Sequence, residues 1–212
     1  MPKINSFKIT NLLSSMFLGM ASFIISGVIA CIVILILDNY ILATIIAGGI
    51  GGLLLGLFLR MRQKIGRMVI AGIIGMPIGL MASFFLVEGI GSLLPSIGAY
   101  FENSAIPDIS AIILMGIIFG AVFGAMVYGR KSIWLFSLVC GTVAFPFGLL
   151  VGAMNSGHWI KIWLANLLEV FGKIDLNLLA IIISFGIGIG LSIGLYNILQ
   201  QRNDESSLNH KI

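Results

Sequence analysis

Charge is scarce in this sequence. Asp, Glu, Lys and Arg make up 9% of its 212 residues, where a soluble domain carries about a quarter. That scarcity excludes a water-soluble globular fold before any motif is read. The long apolar stretches hold no ionisable carboxylate or base, with Asp38 and Glu88 only at their ends. The intramembrane carboxylates and ion pairs on which proton-coupled pumps depend are therefore missing. Cysteine is nearly absent as well. Cys31 and Cys140 both lie inside apolar stretches and read as small buried side chains, which excludes a disulfide scaffold. Val28-Ile29-Ala30-Cys31 has the form of a lipoprotein signal end, but residues 32–37 continue the apolar run where a polar mature start belongs. The first segment is read as a retained helix.

Chemistry-bearing clusters are equally sparse. The two histidines, His158 and His210, stand in an outer loop and in the tail with no Cys or carboxylate cluster to join them, so no metal, haem or other cofactor is expected. The hydroxyls at membrane depth, Ser22, Ser26, Ser83, Thr142, Ser184 and Ser192, have no base near them in sequence. A nucleophile without a base gives no protease or lipid-modifying enzyme, and no enzymatic activity is expected. Residues 124–132 read G-x-x-x-x-G-R-K-S, close to a phosphate-binding loop, but the lysine comes one place late and the segment follows a glycine-rich apolar run instead of a strand. Its residues are read as a helical turn, with Arg130 and Lys131 as determinants of topology. Nothing in the composition points to nucleic acid.

What the sequence has in abundance is apolar length. Apolar residues make up 59% of the chain. Six charge-free segments lie near 12–37, 41–59, 68–87, 109–129, 132–153 and 177–199, each about the 20 residues that a helix needs to cross a ~30 Å hydrocarbon layer. None alternates apolar with polar residues as a barrel wall must. The expected fold is an all-α integral membrane protein, a single polytopic domain over residues 1–212 with a polar tail at 203–212. Ten of the twelve basic residues, Lys3, Lys8, Arg60, Arg62, Lys64, Arg67, Arg130, Lys131, Arg202 and Lys211, fall on one side of such a bundle, and only Lys161 and Lys173 on the other. The positive-inside rule then puts both termini in the cytoplasm and the protein in the cell (inner) membrane.

Glycine is the second abundant residue, with 27 copies. Gly48, Gly52 and Gly56 precede the basic turn at residues 60–64, and Gly116, Gly120 and Gly124 precede the basic turn Arg130-Lys131. Each turn is followed by a second apolar segment with a central proline, Pro77 or Pro146. The two stretches read as one helical hairpin used twice. A third triplet, Gly186, Gly190 and Gly194, lies in the last segment. Spacing by four lines up three glycines on one helix face, where backbones can approach closely, so these glycine zippers are expected to pack helices together. The prolines withdraw a hydrogen bond from the carbonyls of Ile73 and Thr142. Such interrupted helices expose polar backbone near the midplane, which makes Pro77, Pro146, Ile73 and Thr142 the candidate solute path. Residues 158–172 read as an interfacial amphipathic helix anchored by Trp159 and Trp163, and residues 91–103 as a shorter interfacial or re-entrant counterpart.

These features point to the membrane component of a transport or permeation system for a small neutral or weakly polar solute. The alternative, from a different class, is a packing or assembly subunit that uses its extra glycines, Gly49, Gly51 and Gly188, to bind partner helices. The expected partners are the lipid bilayer and either other membrane subunits or further copies of the chain.

Overall fold

The computed structural model describes residues 6–93, 106–155 and 176–209. Among them are six α-helices: α1 (Ser6–Leu37), α2 (Tyr40–Phe58), α3 (Ile65–Leu93), α4 (Ile106–Tyr128), α5 (Ile133–Asn155) and α6 (Leu176–Asn209). Two 3-10 turns, Arg62–Lys64 and Arg130–Ser132, join α2 to α3 and α4 to α5, and there is no strand among the described residues. All six helices are long and apolar enough to cross a membrane. The chain is a multi-pass membrane protein. Many of the residues in these helices are Ile and Val, weak helix formers in water. In lipid an unpaired backbone N–H costs several kcal/mol, and the helix satisfies each one within its own segment.

Local chemistry sets the turns. Asp38 adopts φ 48° after α1, and Asn39 caps α2 by accepting a hydrogen bond from the Leu42 N–H at 2.9 Å. At the end of α2, Arg60 takes the left-handed conformation (φ 55°). There the Met61 N–H donates to the Gly56 carbonyl and the Arg60 N–H to the Leu57 carbonyl, the paired bonds of a Schellman cap. After α4 the turning residue is Gly129, with φ 91°, and the buried Ser132 hydroxyl donates to the carbonyls of Gly124 and Gly129, 2.8 Å from each. Gly124 and Ser132, the two ends of the loop-like motif, are thus bonded to each other.

Three helices exceed the apolar runs that foreshadow them. The first begins at Ser6, α3 runs on past Glu88 to Leu93, and α6 continues through the polar residues 202–209. No glycine or proline follows Gly194 to stop it. The outer segments at 94–105 and 156–175 lie outside the described residues. With them lie Trp159, Trp163 and the expected interfacial helix at 158–172.

The helices form a closed ring in which each packs on its neighbours in sequence and α6 returns to α1. The glycine triplets stand at three of these contacts. Gly48 and Gly52 of α2 meet the backbone of Gly72 and Met68 on α3. On α4, a Cβ at Gly120 would lie 2.5 Å from the Phe136 carbonyl oxygen and one at Gly116 would lie 2.8 Å from the Ala144 Cβ, both on α5. On α6, Gly186 faces Gly19 and Gly190 faces Ser15, both on α1. Phenylalanines fill the centre. Phe119 of α4 meets Phe23 of α1 edge-on at 6.1 Å and Phe185 of α6 at 5.1 Å, and all three are fully buried. Outward the surface is apolar, with Trp134 84% exposed beside Arg130 and Lys131, as a lipid-facing girdle with an interfacial tryptophan requires.

Candidate functional site

Two sets of polar side chains meet at the end of the bundle that carries the basic turns. On α1 they are Asn11, Ser14 and Ser15, at positions i, i+3 and i+4. On α6, Asn197, Gln200 and Gln201 have the same spacing, which puts each trio on one helix face. Gly190 and Gly194 bring α6 onto Ser15 and Leu12, so the two trios stand side by side. With Leu59 and Met61 from the α2–α3 turn and Ile193, Gly194 and Ile198 from α6, they line a cavity of 460 Å³. That volume falls in the range of small-molecule sites, about 300–1,000 Å³.

None of the described residues lining the cavity is charged. Each carboxamide offers both donors and an acceptor. The Ser15 hydroxyl donates to the Asn11 carbonyl at 2.9 Å and keeps its lone pairs free to accept. Met61 links the cavity to an aromatic cluster next to it. The Tyr128 hydroxyl donates to the Met61 sulfur at 3.6 Å, and Tyr128 packs on Tyr196 with ring centroids 4.6 Å apart. The Lys64 ammonium sits 3.9 Å above the Tyr128 ring, a cation–π contact worth ~0.5–1 kcal/mol at an exposed site. That contact engages the lysine on the ring.

Toward the membrane centre the cavity ends on apolar packing. Ile193, Ile189 and Phe185 follow one another at intervals of four on α6, all buried, and Phe185 abuts the Phe119 cluster. The polar residues at that depth turn back on their own helices. Ser22, Ser26, Thr44, Ser83, Ser184 and Ser192 each donate to a carbonyl three or four residues earlier. Among the described residues no Asp, Glu, Lys or Arg is buried, and no group of three or more metal-ligating side chains forms.

The residues singled out in sequence as a solute path do not gather. Pro77 is half-buried in α3, and Ile73 is exposed where it covers Gly49. Thr142 and Pro146 are exposed on α5, and the Thr142 hydroxyl donates to the Leu138 carbonyl at 2.8 Å. Between α3 and α5 stands α4. Of the glycines left over for partner helices, Gly49 meets Ile73, Gly51 meets Phe23 and Gly188 meets Cys140, all in the same chain.

No protein-family model matches this chain, and no curated protein and no solved structure matches it. The cavity therefore carries the functional argument by itself. Its six polar residues escape a reading for chemistry because each trio stands at the end of an apolar run, where polar residues normally mark the exit into water. The signal that finds them is the shared i, i+3, i+4 spacing in the first and last helices.

Proposed function

We propose that the protein is the membrane component of a transport or permeation system for a small neutral polar solute, which enters the cavity between α1 and α6. The observation that carries this is the cavity's lining, two matched trios of uncharged hydrogen-bonding side chains in line with a phenylalanine-filled centre. A solute site in a membrane bundle needs polar groups that converge and an apolar barrier that stops leakage, and the two are stacked here along one face of α6. The excess of basic residues at this end orients it toward the cytoplasm, with both termini inside, in the cell (inner) membrane. On the same reading the ring consists of three helix pairs of one design, α2/α3, α4/α5 and α6/α1, each joined by a glycine zipper. The third is divided between the two ends of the chain. The prolines shape α3 and α5 and stand apart from the solute.

The alternative, an assembly subunit that moves no solute, loses its main support because Gly49, Gly51 and Gly188 are engaged within the chain. Solute flux separates the two. The purified protein in proteoliposomes should accelerate osmotic re-swelling in neutral polyols and sugars. Asn197→Trp, which fills the cavity from an exposed position, should abolish that acceleration while the protein remains monodisperse. Re-swelling no faster than in empty liposomes for every solute would leave the assembly reading in its place.

A further inference from the structure

Resting on the transport reading above, we infer that the cavity between α1 and α6 takes uncharged molecules of about monosaccharide size that are rich in hydroxyl or amide groups and also carry C–H surface. Charge decides the first part. An ion that gives up part of its water to enter a site needs a counter-charge or a set of donors or acceptors of one kind. Among the described residues the lining has no charged side chain, and Lys64, three residues beyond Met61, is engaged over the Tyr128 ring.

Hydrogen-bond character decides the second part. Asn11, Asn197, Gln200 and Gln201 each carry an N–H₂ and a carbonyl oxygen, so the lining offers donors and acceptors together. An anion would meet misplaced carbonyl oxygens there and a cation misplaced N–H groups. A hydroxyl or a carboxamide, which gives and accepts, satisfies both. Leu59, Met61, Ile193 and Ile198 add apolar surface to the same lining, against which the C–H groups of a ring can pack. A volume of 460 Å³ is far more than water or a bare ion fills.

Three sugars with one ring and different charge test this. The full chain in nanodiscs is titrated with glucose, with glucosamine as its cation and with glucuronate as its anion, and binding is read by saturation-transfer NMR. Glucose should bind saturably and both charged rings about tenfold more weakly or worse, a difference of ~1.4 kcal/mol. Asn197→Asp places a carboxylate on the lining at an exposed position and should turn the preference toward glucosamine. Asn197→Leu should weaken all three, with thermal stability in detergent unchanged for both variants. Equal or tighter binding of a charged sugar to the unsubstituted protein would overturn the assignment. So would saturable binding of none of the three, or binding that neither substitution alters, which would place the sugars in the lipid headgroup layer. Selective glucose binding without glucose flux in proteoliposomes would remove the transport reading and keep the ligand class. Flux that favours a charged sugar would do the reverse.

Discussion

Gly48 and Gly72 face one another across α2 and α3 so closely that a methyl group on either would overlap the carbonyl oxygen of the other. In lipid, where apolar side chains gain nothing by leaving water, helix association rests on such close van der Waals approach. The contact therefore bears more of the stability than its two hydrogen-atom side chains suggest.

Replacing Gly48 by Leu should destabilise the protein by ~1–3 kcal/mol through overpacking, seen as a lowered midpoint of thermal aggregation in detergent. Gly66 on α3 has nothing within 4 Å of its would-be Cβ. Gly66→Ala should leave the midpoint unchanged or raise it, since alanine is favoured over glycine in a helix by roughly 0.5–1 kcal/mol. A Gly48→Leu protein as stable as the parent would mean that α2 and α3 do not meet at these residues.

Phe119 holds the centre of the ring between Phe23 and Phe185. Phe119→Ala should cost ~3–5 kcal/mol and leave a void between the cavity and the far half of the bundle. In proteoliposomes the surviving protein should pass neutral solutes faster per molecule than the parent. Reduced stability with unchanged flux would indicate that the solute route bypasses the phenylalanines.

The two basic turns solve one backbone problem with different residues. Gly129 has φ 91° and ψ 179°, a region open essentially to glycine alone, so Gly129→Ala should cost of order 1–3 kcal/mol. Arg60 occupies the left-handed position of the other turn with φ 55°, and Arg60→Gly should stabilise by up to ~1 kcal/mol. Unfolding midpoints of both variants, moving in opposite directions, are the expected result.

Cysteine labelling checks the orientation. Cys31 and Cys140 are buried, which keeps the background low. A cysteine at the exposed Gln63 or Lys131 should resist an impermeant reagent added outside intact cells, and one at the exposed Glu88 should react. Ser132 is fully buried and hydrogen-bonded, so a cysteine there would report burial instead of sidedness. The opposite labelling pattern would invert the proposed topology and turn the cavity outward.

The six spans were legible in the sequence because the membrane imposes a strong rule, about twenty apolar residues without charge, and each of the six segments obeys it. Which helix each glycine triplet faces was not legible. Spacing aligns Gly186, Gly190 and Gly194 on one side of α6, yet nothing local names Gly19, Ser15 and Leu12 as the residues across from them. The pocket was illegible for a related reason, since Asn11 and Asn197 stand at opposite ends of the chain and become neighbours only when the ring closes. Proline drew attention because its covalent effect is local and certain. Whether Pro146 faces neighbour or lipid is decided by the rotation of α5, which apolar residues all around the helix leave undetermined.

The pairing of α1 with α6 also sets an order of events during biosynthesis. Chains emerge N-terminal end first, so α1 enters the bilayer when the helix bearing Gly186 and Gly190 has yet to be made, and the Gly19 surface stays uncovered until α2 to α5 and then α6 have left the ribosome. Joining residues so far apart in sequence is the slow, entropically costly step. The polar wall of Asn11, Ser14 and Ser15 is assembled in that same step. The pocket thus forms only after the other five helices have been made, and a nascent chain arrested before α6 lacks it.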